Sequence, residues 1–327
     1  ESEKKGIQLL NTQIEAAVRS LDILSKYPFL YNRAVMGSGK TYSVADLLSK
    51  KTPKNILFIT VKNALDCEIY NEPCKIAGIK TIELYKSKNS KNSTPGIINY
   101  EKLTGTKTLG ELSHGLLTRT QEKITTVNEL NGKEKIKIVT KYFATERLKN
   151  LAAEGLAVVF DEAHKFKSDK TQRYDAIKVI IDTVLEAAKN QRDGNNQDVK
   201  KNNSYVIFLS GTPGNKENTP AFARLIGIIE SETLFSNSFG KLNFNIPGKS
   251  GLKEMYDYCA KMDNGKYKNE ADEIWALVEF RNTVTKDFVL DVFFQFYCDI
   301  FMNAISVSMP EPEIAVPLDC KNGMYML

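Results

Sequence analysis

Gly37, Ser38, Gly39, Lys40 and Thr41 place two glycines, a cation and a hydroxyl within five residues. Glycines at these positions let backbone N–H groups approach phosphate oxygens with no Cβ in the way, and a helix starting there turns its positive end toward the same anion. Lys40 would then reach the β- and γ-phosphates of a nucleotide, with the Thr41 hydroxyl on Mg²⁺. The general pattern G-x-x-x-x-G-K-[ST] has glycine where this chain has Ala34.

A second group follows in "LAVVFDEAHKFK". An apolar strand ending in Asp161-Glu162 delivers two carboxylates to the C-terminal edge of a parallel sheet, where α/β folds bind ligands. Asp161 would hold Mg²⁺ through water, and Glu162 would orient and polarise a water for in-line attack on the γ-phosphate. Taken alone, the pair also reads as solvated carboxylates at a strand end. A third apolar strand runs into the small polar turn "SGTP", containing Ser210, Gly211 and Thr212, whose meaning comes only from its place in the order.

These groups need strands that end together. Near-continuous apolar runs recur in "PFLYNRAV", "NILFIT", "KTIELY", "GIINY", "LAVVF" and "YVIFLS", as in parallel strands covered on both faces. Helical patterns such as "TQIEAAVRSLDILS", Tyr42 to Leu48 and "RYDAIKVIIDTVLEAAK" lie between them, giving an α/β layout with a mostly parallel sheet flanked by helices. Two segments interrupt it: a basic hairpin turning at Asn131-Gly132, within about 104–141, and a solvated loop over Asn190 to Ser204. The hairpin is read as an insertion whose lysines could reach a polyanion. After Phe239 the chain reads as a loop, then a mostly helical extension from Leu252 to Ile305 with an aromatic run over Asp287 to Phe301, and a closing strand in "EIAVPLD".

The three groups in order resemble motifs I, II and III of superfamily 2 helicases and translocases, whose first motif, A-x-x-G-x-G-K-T, has alanine where this chain has Ala34. "DEAHKFKSDKTQRYDAIK", "GIINYEKL" and "LSGTPGNKENTPAFARLIGII" are most similar to segments of the Swi/Snf-type DNA translocases, with Ser168 replacing an asparagine. The likeness runs from Gln13 to Phe239 and continues weakly to "FMNAISVSMPEPEIAVPLD", where Met302 and Asn303 replace an arginine pair. It implies a RecA-like P-loop NTPase lobe over 1–239 with a C-terminal helical extension over 240–327, using ATP and Mg²⁺. By the same resemblance Gln13 reads adenine, His164 couples the nucleotide to Ser210-Gly211-Thr212, and Lys62, Asn63, Asn99 and Tyr100 touch the nucleic-acid backbone. Surface or loop roles for these residues are the plainer alternatives.

A complete enzyme of this kind carries Q-x-x-G-R-x-x-R in a second RecA-like lobe, and no such motif precedes Leu327. An arginine finger is worth about 10³ to 10⁵ in rate, so this chain alone is expected to bind ATP and hydrolyse it slowly. The chain reads as part of a longer protein, from its start at Glu1 and its end in "CKNGMYML".

Composition limits the rest. With 327 residues and 42% hydrophobic content the chain can build a sizeable core. Five scattered cysteines without a C-x-x-C pair indicate neither a disulfide framework nor a zinc site. No apolar run approaches the roughly 20 residues needed to span a bilayer, so an intracellular location is expected. A net charge of +5 is compatible with nucleic acid without requiring it. The expected function is the N-terminal ATPase lobe of a motor on double-stranded DNA. An RNA helicase, or a nucleotide-gated interaction module in a larger defence or viral replication complex, is the alternative. A small-molecule kinase shares the phosphate loop but has no need of D-E-A-H followed by S-G-T-P.

Overall fold

The computed structural model describes residues 10–34, 37–61, 68–79, 83–84, 96–105, 108–127, 134–166, 171–193, 204–210, 225, 238–239, 242–243, 253, 256–257, 259–279 and 305–309. Its elements are α1 (Asn11–Lys26), β1 (Phe29–Asn32), α2 (Lys40–Lys51), β2 (Asn55–Thr60), α3 (Glu68–Ile76), β3 (Glu83–Leu84), β4 (Gly96–Asn99) and α4 (Tyr100–Thr104). There follow β5 (Gly110–Glu111), β6 (Leu117–Val127), β7 (Glu134–Ala144), α5 (Glu146–Gly155), β8 (Leu156–Phe160), a 3₁₀ turn (Ala163–Phe166), α6 (Gln172–Asp193) and β9 (Tyr205–Leu209). A small antiparallel pair, β10 (Ser238–Phe239) and β11 (Leu242–Asn243), precedes α7 (Lys268–Glu279) and β12 (Ser306–Val307).

Seven described strands form one parallel sheet in the order β12-β1-β9-β8-β2-β4-β3. β1, β2, β4, β8 and β9 are buried along their whole length. This is why their sequences read as unbroken apolar runs instead of alternating ones. Phe58, Phe160 and Phe208 lie fully buried on the neighbouring strands β2, β8 and β9, and the Phe160 and Phe208 rings stack with centroids 5.5 Å apart. α1, α2 and α3 pack in sequence against one another, while α4 and α5 pack on α6. The architecture is the expected RecA-like α/β lobe.

The helix after the phosphate loop starts at Lys40 and runs to Lys51, longer at both ends than the apolar pattern from Tyr42 to Leu48 suggests. Its last turn carries Lys50 and Lys51, cations placed where the helix dipole is negative. Within "KTIELY" the described residues, Glu83 and Leu84, form β3.

The hairpin pairs β6 with β7 antiparallel, in register from Leu117↔Ala144 to Val127↔Glu134. Asn131-Gly132 at its tip lies outside the described residues. The base is tied down by the Tyr142 hydroxyl, which donates to the Thr104 carbonyl at 3.0 Å, and by Thr145, which caps α5 through Leu148 N.

The solvated loop expected over Asn190 to Ser204 is corrected at both ends. Asn190 to Asp193 form the last turn of α6, and Ser204 is buried. Ser204 Oγ donates to the Ala152 carbonyl at 2.6 Å and accepts from Leu156 N at 2.9 Å, while Ser204 N donates to Gln191 Oε1 at 2.8 Å. These bonds satisfy the junction between α5 and β8, a requirement that polar composition cannot reveal.

In the expected helical extension, α7 is helical and Met262–Gly265 form a 3₁₀ turn. The aromatic run over Asp287 to Phe301 and the strand expected in "EIAVPLD" lie outside the described residues. The strand that is described, β12, adds to the sheet beside β1, with Tyr31 N on the Ile305 carbonyl and Arg33 N on the Val307 carbonyl.

Candidate functional site: a phosphate loop facing a carboxylate pair

The parallel register brings five strand ends to one edge. Asn32 of β1 pairs with Leu209 of β9, Phe160 of β8 with Phe208, Ile59 of β2 with Phe160, and Thr60 with Asn99 of β4. The phosphate loop, Asp161-Glu162 and Ser210 all come after these strand ends.

From β1 the chain turns at Asn32, a residue the motif reading passed over. Its buried side chain accepts from Ala34 N at 3.0 Å through Oδ1, and Nδ2 donates to Ser43 Oγ at 3.3 Å. Ser43 Oγ in turn donates to the Lys40 carbonyl at 2.9 Å. One amide thus ties the start of the phosphate loop to the first turn of α2. Its only sequence signal is that Asn is a turn-forming residue at a strand end.

Gly37 and Gly39 adopt φ of +81° and +78°, the left-handed region that a Cβ disfavours. Gly39 is the N-cap of α2, and a Cβ there would run into the side-chain amide of Gln13. Gln13 itself accepts from Leu10 N at 3.0 Å through Oε1, which caps α1. It is therefore a buried residue lying against the loop, not a surface one. Ser38 is buried, and Thr41 follows Lys40 in the first turn of α2.

Lys40 Nζ lies 2.9 Å from the Ala34 carbonyl. Burial lowers its pKa below the ordinary lysine value, while Asp161 and Glu162 pull it back up. Both carboxylates are therefore close enough to act on the loop's only lysine.

Beyond β8, Asp161 N donates to the Ile59 carbonyl at 2.9 Å, and Asp161 Oδ1 accepts from Glu162 N at 2.9 Å. Glu162 stands at φ +54°, an unusual conformation for a residue with a side chain. Its Oε2 lies 3.1 Å from His164 Nδ1, and that same nitrogen lies 3.2 Å from Ser210 Oγ at the end of β9. His164 Nδ1 thus stands within hydrogen-bond reach of both the carboxylate after β8 and the turn after β9. Lys62, Asn63, Gly211 and Thr212 lie outside the described residues.

Asn99 and Tyr100, expected to touch a nucleic-acid backbone, have their side chains committed inside the lobe. Asn99 is buried, and its Oδ1 accepts from Lys102 N at 2.8 Å as the N-cap of α4. Tyr100 is fully buried; its hydroxyl donates to the Asp161 carbonyl at 2.6 Å, and the Arg173 guanidinium sits 5.5 Å from its ring centre.

Among the described residues no three His, Cys, Asp or Glu side chains gather into a metal cage. Mg²⁺ is usually held by one or two protein groups together with substrate phosphates, and the Asp161 carboxylate, at the sheet edge where it acts on Lys40, is a donor of that kind.

A solved structure of the Sulfolobus solfataricus SWI2/SNF2 ATPase core in complex with dsDNA is similar at 15% identity and a TM-score of 0.42, over 83% of this chain and 44% of that one. This chain therefore spans less than half the length of that relative. No curated protein matches the chain by sequence. The family described as type III restriction enzyme, res subunit, matches residues 6–215, which include the phosphate loop, Asp161-Glu162 and Ser210-Gly211-Thr212. The chain belongs to this family, whose match covers the motifs that resemble those of superfamily 2 helicases.

Proposed function

We propose that the chain is the nucleotide-holding half of a motor that couples Mg-ATP hydrolysis to movement on double-stranded DNA. The observation that carries this reading is the convergence of Lys40, Asp161, Glu162, His164 and Ser210 on one sheet edge. Gly37 to Thr41 cradle the phosphates, and Gln13, set against Gly39, meets the adenine side. Asp161 and Thr41 hold Mg²⁺, which when bound supplies positive charge to the phosphate oxygens. Glu162 orients the attacking water, and His164 carries the state of Glu162 to Ser210. Alone the chain turns over slowly, because a second lobe supplies the arginine that meets the transition state.

ATPase measured on the full-length protein with duplex DNA, single-stranded DNA and RNA tests the reading. Stimulation by duplex DNA, weak in sequence preference and falling with salt, is the expected result. Stronger stimulation by RNA reassigns the substrate. The projecting hairpin favours a second reading, a nucleotide-gated interaction module, because Ile136 and Ile138 on one face and Phe143 on the other are more than half exposed. ATPase that no nucleic acid stimulates, together with a nucleotide-dependent protein partner, selects that reading.

A further inference from the structure

The Asp161 carboxylate is gripped by a residue outside all the sequence motifs. Tyr70, on α3, is fully buried, and its ring packs against Phe58 of β2 with centroids 4.9 Å apart. Its hydroxyl donates a short hydrogen bond to Asp161 Oδ2. The Thr60 hydroxyl, fully buried at the end of β2, lies 3.0 Å from the Tyr70 oxygen and donates to the same Asp161 Oδ2 at 3.4 Å. The other carboxylate oxygen, Oδ1, takes the Glu162 N–H, and the Asp161 main-chain carbonyl takes the Tyr100 hydroxyl.

We infer that Tyr70 is a positioning residue that fixes the Asp161 carboxylate for Mg²⁺ bound with the nucleotide. The inference rests on the Mg-nucleotide reading given above. With Tyr70 and Thr60 on Oδ2 and the Glu162 N–H on Oδ1, the carboxylate cannot rotate without breaking a hydrogen bond at each end. All three donors are neutral, so the full negative charge stays available to a cation, which a lysine in the same place would cancel. Oδ1, with its single donor, also keeps a lone pair for the water shell that Mg²⁺ retains.

Partners that orient a metal's carboxylate typically change metal affinity by about 10- to 100-fold when removed. Tyr70→Phe keeps the ring in its pocket and removes only the hydroxyl. The test is equilibrium binding of a fluorescent ATP analogue to the whole chain, titrated with Mg²⁺ and compared with binding in EDTA. The expected result for Tyr70→Phe is metal-free affinity within about twofold of wild type and a Mg²⁺ midpoint raised about tenfold. Thr60→Val, which removes only the second donor, shifts the midpoint less. Asp161→Ala serves as the reference and abolishes the Mg²⁺ response.

A Tyr70→Phe curve that superposes on wild type while Asp161→Ala loses its response overturns the positioning role, even if the variant melts at a lower temperature. If Asp161→Ala itself keeps the wild-type Mg²⁺ curve, the metal assignment at Asp161 fails, and the role of Tyr70 goes with it.

Discussion

Lys40 Nζ sits 2.9 Å from the carbonyl of Ala34, six residues back along the chain, so the loop's cation closes the loop on itself. A phosphate must draw the ammonium away from that carbonyl, and the exchange is favourable because a charged acceptor replaces a neutral one. Lys40→Ala is expected to weaken nucleotide binding on the order of 100-fold, the size of one charge-assisted hydrogen bond lost from a partly buried site. Glu162→Gln should bind nucleotide like wild type while losing roughly 10²- to 10⁴-fold in turnover, since only the proton-accepting group is changed. Calorimetric binding and steady-state ATPase of the full-length protein separate the two; normal ATPase in both variants would sink the assignment.

Gly37 and Gly39 share nearly the same φ but not the same surroundings. A Cβ at Gly37 meets nothing within 4 Å, whereas one at Gly39 strikes the Gln13 amide. Gly37→Ala should therefore cost only the left-handed strain, about 1 to 2 kcal/mol. Gly39→Ala should cost that and also dislodge Gln13, freeing the Leu10 N–H that caps α1. Thermal unfolding ranks the two, with Gly39→Ala the less stable. Only Gly39→Ala should reduce the preference for ATP over GTP, and equal selectivity in both variants would remove Gln13 from the adenine site.

Most of the site was legible because its chemistry is local. "GSGKT" and "DEAH" name their own roles once each follows an apolar strand, and those strands stand out because both faces are covered. The clamp on Asp161 was not legible, because Tyr70 is 91 residues from it and α3 shows only an ordinary amphipathic pattern. The burial of the Tyr100 and Asn99 side chains was hidden for a related reason. An aromatic and an amide at a strand end look exposed until α4 and α6 are packed beside them. The same holds for Ser204, polar in composition yet committed to Ala152, fifty-two residues away.

His114 links the hairpin base to α4. Its Nδ1 accepts from Leu116 N at 3.0 Å, which leaves Nε2 to donate to the Leu103 carbonyl at 3.2 Å. Burial pushes its pKa down from 6.5 to about 4; the Leu103 hydrogen bond and Glu111 oppose that shift, and Arg147 adds to it. The unfolded chain therefore binds a proton that the folded chain refuses between those values. The stabilisation is complete above pH 6.5 and lost as pH falls toward 4, approaching about 3 kcal/mol. His114→Asn should be less stable than wild type at pH 7.5 by about 1 to 2 kcal/mol, for a lost buried hydrogen bond. The gap should shrink steadily on acidification, as followed by urea unfolding at each pH; a constant gap would show that His114 does not titrate in this way.

Glu162 holds its place after β8 on a left-handed backbone, φ +54°, which glutamate adopts only at a cost of about 1 to 2 kcal/mol. Asparagine tolerates this conformation because its short amide can hydrogen-bond locally. Glu162→Asn should therefore stabilise the lobe by up to about 1 kcal/mol while stopping turnover. The contact it loses to His164 is partly exposed on both sides and is worth little. Glu162→Gln keeps both the strain and the stability of wild type, so it separates backbone relief from the loss of the carboxylate. Chemical denaturation of the three proteins reads the difference. If the asparagine variant is no more stable than the glutamine variant, no strain is stored at this position for function to draw on.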